Sequence, residues 1–207
     1  EGFFIENDCI FNKDPNKKIL FVGDLIDRGY DSLKILEVIK NSILHQDHYM
    51  VLGNHEQKLI NTYRKFKNNE PAHVFQSSEA VTRTFHEFLK LSKDKQEEYI
   101  KFLEKQPHYY IHNDKLIVHA NIKNDNIFNL TRQQAIYGTD DALSDVIYTQ
   151  LKNIENCNKY TLVRGHIPLL NETYTKDKKT SLDIKDTSGV ISLEEQAVSK
   201  GYLCMYD

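Results

Sequence analysis

Each of four apolar runs in this chain stops at residues that could do chemistry. ILFV (residues 19–22) is followed by Gly23-Asp24, and YMVL (49–52) by Gly53-Asn54-His55-Glu56. LIV (116–118) is followed by His119, and YTLV (160–163), after Arg164, by Gly165-His166. Short apolar runs bounded by turn residues read as buried strands. Ligands in open α/β sheets bind beyond the carboxyl ends of strands, so these loops are candidates for a single site. Asp24, Asn54, His119 and His166 offer oxygen and imidazole donors and no thiolate. That set suits Mn, Fe or Zn better than a soft metal. Two such ions sharing a carboxylate, a role open to Asp24, form a recurring arrangement for phosphoester hydrolysis. His55, beside Asn54, is a candidate general acid, with Asp27 to orient its ring. Arg28 offers a planar fork for a phosphate.

Taken singly, these residues say little. A Gly-Asp after a strand is ordinarily a turn or a helix cap, and a lone His119 is ordinarily a hydrogen-bonded core residue. The joint occurrence of GDLIDRG (23–29) and GNHE (53–56) is specific. His45, His48, His73, His86, His108 and His112 have no such context and are expected on the surface or in loops.

The elements that must position these residues follow from periodicity. Asp31 or Ser32 can cap a helix with Leu33, Leu36, Ile39 and Ile43 on one face. Strand, helix and strand over 19–52 make a βαβ unit, which implies a parallel pair and a right-handed crossover. Residues 56–106 read as mostly helical and polar. Val81, Phe85, Phe88 and Leu89 form one apolar stripe; after a cap at Ser92, Ile100 and Leu103 form another, and both are read as core packing. SLDI (181–184) and YLCM (202–205) read as strands, with a loop or hairpin excursion over 185–201 between them. No linker divides the chain, so 1–207 reads as one domain with a helical insertion over 57–106.

Composition narrows the class. The 207 residues are 40% hydrophobic, which places the chain among globular rather than disordered proteins. A net charge of -3 and a pI near 6.3 give no basic footprint for nucleic acid. No apolar run is long enough to cross a membrane and no signal-peptide pattern is present. Cys9, Cys157 and Cys204 are widely spaced without a CxxC, as expected of reduced thiols in a cytoplasmic protein.

On GDLIDRG, GNHE, HAN (119–121) and RGHIP (164–168), in that order, the chain resembles the calcineurin-like metallophosphatases, in their phosphoprotein-phosphatase branch. The stretch PHYYIHNDKLIVHA, AIYG at 135–138, and GHIP followed by SLDI bring it near small bacterial members, including dinucleoside-polyphosphate hydrolases and the phosphatase module of RNA-repair enzymes. The resemblance implies an α/β fold, a two-sheet β-sandwich flanked by helices. It implies two divalent metal ions, Mn foremost with Fe, Zn or Ni as alternatives, and attack by a bridging hydroxide. It assigns Asp24 to both metals, and Asn54, His119 and His166 to the second. His55 becomes the proton donor, Asp27 its support, and Arg28 a phosphate ligand; Arg132, with Arg164 as runner-up, is the candidate for a second phosphate-binding arginine. The implied substrate is a phosphorylated protein or a dinucleoside polyphosphate.

The sequence departs from the family's motifs in two ways. The family's first motif, GDxHG, is absent and would fall at or before Glu1, so the chain is expected to be N-terminally truncated. Asn121 stands where the family has glycine; if positive φ is needed there, asparagine is the least costly substitute. The absent motif leaves a second reading open, a non-catalytic binding or regulatory protein on the same fold. Intact His55, Asp27 and Arg28 favour an enzyme.

Overall fold

The computed structural model describes residues 2–70, 78–120, 130–138, 161–166 and 190–193. The chain divides into two compact units, Glu1–Pro107 and His108–Asp207. Both combine helices with strands, and the α/β class expected from the sequence holds.

The first unit opens with an antiparallel hairpin, β1 (Phe3–Glu6) and β2 (Cys9–Asn12). Its turn is Asn7-Asp8, both at positive φ (48° and 56°). Two consecutive left-handed residues match the twist of the flanking strands, and Asn and Asp tolerate that conformation best after glycine. β3 (Leu20–Phe21) then leads through α1 (Ser32–Gln46) to β4 (Tyr49–Met50). β3 and β4 pair in parallel, as the βαβ pattern requires. Both strands are shorter than the apolar runs, although hydrogen bonding reaches one residue further, to Ile19 and Val51: Tyr49 N–H donates to Ile19 O and Val51 N–H to Phe21 O. Asp31 occupies the N-cap of α1 without making a side-chain cap bond. Ser32 is turned to another task, described below.

The expected helical segment comprises α2 (Asn54–Lys67), α3 (Glu79–Leu89) and α4 (Lys93–Glu104). Val81, Phe85, Phe88, Ile100 and Leu103 are buried as their spacing predicts. Phe88 packs edge-on against Tyr63 at 5.4 Å between ring centroids, tying α3 to α2. Ser92 caps α4 by accepting from Lys95 N–H. Between α1 and α4 the buried Lys40 pairs with the partly exposed Glu37 and the exposed Glu98. Burial works against ionisation of Glu37, but hydrogen bonds from Tyr99, Lys95 and Lys40 outweigh it and hold its pKa at about 2.

The second unit carries a four-stranded sheet in the order β5 (Tyr109–His112), β6 (Lys115–Val118), β7 (Thr161–Arg164) and β8 (Val190–Ser192). β5 and β6 form an antiparallel hairpin, whereas β6–β7 and β7–β8 are parallel. α5 (Arg132–Tyr137) covers part of this sheet: Leu116, Val118 and Leu162 share a core with Leu130 and Ala135. Thr131 and Gln134 form its capping box.

One expectation is corrected: the span 185–201 is not all loop, because Val190–Ser192 joins the sheet beside β7. His48 and His108 lie in loops, as expected. His48 is nevertheless buried: Ile19 N–H donates to its Nδ1 at 3.3 Å and its Nε2 meets Ile10 O at 3.0 Å, so it ties the N-terminal hairpin to β3. His108 is half-buried, with Nε2 at 3.0 Å from Leu130 O. The strands expected at 181–184 and 202–205, together with His73, Asn121, Cys157 and Cys204, lie outside the described residues.

Candidate active site

In the first unit, the chain leaving β3 turns sharply: Gly23 and Asp24 both take positive φ (85° and 56°), as does Asp27 (87°). The chain leaving β4 turns into α2 through Gly53. These two turns touch. A Cβ built on Gly53 would lie 2.3 Å from Asp24 N and 2.6 Å from both Asp24 Oδ1 and Glu56 Oε2, so only glycine fits. His55 N–H donates to Asp24 Oδ1 at 3.2 Å, fixing the carboxylate beside the start of α2.

Glu56 is the fastener of this arrangement, and the sequence reading gave it no role. Fully buried, it sits at the third position of α2. It accepts from Gly53 N–H (3.0 Å), from Asp24 N–H (2.9 Å) and from Leu25 N–H (2.7 Å). One carboxylate thereby satisfies donors of both turns. Burial, and then the neighbouring Asp24 charge, push its pKa up, against the pull of the backbone donors. The sequence signal for it was present: a Glu three residues after a helix N-cap is half of a capping box.

His55 and Asp27 come together as expected. His55 Nδ1 lies 2.6 Å from Asp27 Oδ2, and Asp27 is buried. Nδ1–H donates to the carboxylate, leaving Nε2 3.8 Å from Asp24 Oδ2. The Asp27 hydrogen bond raises the His55 pKa most; burial opposes it, and the charges of Asp24, Asp27 and Glu56 add to the rise. Asp27 is itself held, because its N–H donates to Ser32 Oγ at 2.9 Å in the first turn of α1. Arg28 is exposed in the loop between Asp27 and Ser32.

In the second unit, the ends of β6 and β7 bring His119 and His166 together. Gly165 N–H donates to His119 O at 3.0 Å, extending the parallel ladder to the two histidines. His119 Nε2 lies 3.1 Å from His166 Nδ1, with ring centroids 5.0 Å apart. His119 is buried and His166 takes φ 70°. Arg132 is the first residue of α5 and is half-buried; Arg164 ends β7 and is buried.

The donors fit divalent metal. Asp24 and the buried Glu56 bring two carboxyl groups together where the two turns touch, an arrangement that cationic charge relieves. His119 and His166 aim ring nitrogens at each other across 3.1 Å, two borderline donors converging from neighbouring strand ends.

The family model described as calcineurin-like phosphoesterase matches residues 5–192. Among curated proteins, the chain is 32% identical over 127 residues to the bis(5'-nucleosyl)-tetraphosphatase PrpE (asymmetrical) of Oceanobacillus iheyensis, covering 58% of this chain and 48% of the relative. It is 34% identical over 138 residues to the PrpE of Bacillus subtilis, covering 64% and 53%. The chain thus spans about half the length of these relatives. A crystal structure of a candidate diadenosine tetraphosphatase aligns with TM-score 0.55 at 15% identity, covering 88% of this chain and 72% of the other, a likeness of fold. With a family match running from β1 to β8 and both signature turns built as described, the chain belongs to the calcineurin-like phosphoesterases.

Proposed function

We propose that the protein is a metal-dependent phosphohydrolase acting on dinucleoside polyphosphates. The observation that carries the reading is the His55 Nδ1 to Asp27 Oδ2 pair at 2.6 Å, set beside Asp24. A pure binding protein has no use for a histidine aimed by a buried carboxylate. Asp24, Asn54, His119 and His166 would hold two divalent ions, Mn foremost. Such ions, when bound, supply Lewis acidity toward phosphoryl oxygens and an activated water.

The chain's own residues do the rest. Asp27 keeps the Nδ1–H tautomer of His55 and stabilises its imidazolium. His55 Nε2 then donates a proton to the departing oxygen. Arg28 clasps a phosphate through its fork, and Arg132 is proposed as the second arginine. The PrpE names favour a dinucleoside polyphosphate. Among the described residues no helix is long and apolar enough to cross a membrane; we place the protein in the cytoplasm, where nucleotide substrates and a free thiol at Cys9 are both at home.

One observation favours a second substrate class, a phosphorylated serine or threonine. An aimed proton donor is worth most when the leaving group is an alkoxide, the poorest of leaving groups. The Mn-loaded protein assayed on diadenosine tetraphosphate and on a phosphoserine peptide in parallel separates the two. We expect kcat/KM to favour the dinucleotide at least about tenfold, because a site built for a substrate's polar groups rejects one lacking them. The opposite order would assign the phosphopeptide, and turnover of neither would contradict an enzyme.

A further inference from the structure

The loop that carries Asp27 and Arg28 also carries an aromatic ring with no part in the chemistry above. Tyr30 is 84% exposed, the most exposed large hydrophobic side chain among the described residues. Despite that exposure it is not loose. The Arg83 guanidinium, from α3, lies over its ring with Cζ 4.9 Å from the centroid. Arg83 is fixed in turn, donating through one terminal nitrogen to Gly29 O at 2.9 Å and to Asp27 O at 3.3 Å. The backbone around Arg28 therefore holds a guanidinium, and the guanidinium backs the ring on one face. A cation–π contact of this kind stabilises a ring orientation that solvent alone would not select. Between Arg28 and Tyr30, Gly29 leaves open space: a Cβ there would meet nothing within 4 Å.

These features bring together an exposed arginine fork for phosphate, a bare backbone step, and a backed aromatic plane two residues beyond the fork. We infer that Tyr30 is a stacking shelf for a nucleobase whose phosphate is held at Arg28. The inference rests on the dinucleoside-polyphosphate reading and adds to it a specificity residue. A phosphoserine side chain has no planar group to match the shelf, whereas every base has one. Stacking of this kind is tolerant of base identity, so adenine and guanine nucleotides should be accepted about equally.

The test compares wild type, Tyr30→Ala and Tyr30→Phe in the full chain, with calorimetric binding of ADP and of inorganic pyrophosphate as the readout. Base–aromatic stacking is worth about 1–3 kcal/mol by alanine substitution, so Tyr30→Ala should weaken ADP binding roughly tenfold or more. Pyrophosphate binding should change by less than about twofold, since the ring does not touch phosphate, and Tyr30→Phe should retain ADP, since stacking needs only the ring. Equal losses for ADP and pyrophosphate, no loss for either, or absence of ADP binding by wild type would each overturn the shelf. The reading beneath it fails separately. Wild type that cleaves diadenosine tetraphosphate while Tyr30→Ala binds ADP normally loses the shelf alone. Selective ADP loss in Tyr30→Ala, with no dinucleotide cleavage by wild type, keeps the shelf and removes the proposed substrate.

Discussion

Replacing His55 by asparagine is expected to lower turnover on an alkyl phosphate monoester by at least about a hundredfold, the range for losing a positioned general acid. The same variant should lose no more than about tenfold on p-nitrophenyl phosphate, whose nitrophenolate departs without a proton and so gains little from general acid catalysis. The contrast matters more than either number. His55 also donates its backbone N–H to Asp24, a bond that asparagine keeps, so a purely structural loss would slow both substrates alike. Steady-state rates on the two substrates, at fixed Mn, distinguish these outcomes. Equal losses would remove the proton-donor role and leave His55 as a support for the turn.

Gly53→Ala carries the second large effect, on stability first and on activity through it. The added methyl would overlap the backbone nitrogen of Asp24 at 2.3 Å and two carboxylate oxygens at 2.6 Å. None of these is the yielding end of a flexible side chain: the nitrogen is backbone, and the carboxylate of Glu56 is tied to three N–H donors. The two turns must separate, and Glu56 then loses part of its cradle while still buried. A loss of at least about 3 kcal/mol is expected, combining overpacking with an unsatisfied buried carboxylate. Gly29→Ala is the internal control, because its added methyl meets open space; it should cost less than about 0.5 kcal/mol. Urea denaturation of the two variants checks this, and a Gly53→Ala protein as stable as wild type would contradict the touching turns.

How much of this was legible beforehand varies by element, for physical reasons. The βαβ unit and the three long helices follow from side-chain period, which packing enforces over many residues. Asp27 and His55 could be paired because a histidine that acts needs an orienter and GDLIDRG offers one. Glu56 was missed because a buried carboxylate has no periodic signature; only its place three residues into α2 marks it. The two hairpins were also missed, although both turn at an Asn-Asp pair (Asn7-Asp8 and Asn113-Asp114), with φ 48° at Asn7 and 52° at Asn113. β8 is three residues long and gains strand character only from its parallel partner β7. The burial of His48 is a tertiary event, set by Ile10 and Ile19 rather than by its neighbours in sequence.

We propose Asp24, His119 and His166 as metal ligands, and the most direct measurement is Mn binding, followed by electron paramagnetic resonance, in wild type, Asp24→Asn and His166→Ala. We predict that wild type binds Mn and that each variant shifts the titration to at least about tenfold higher Mn, since a lost donor weakens such a site by at least that much. A variant that binds Mn with the same dependence as wild type would contradict its residue as a ligand.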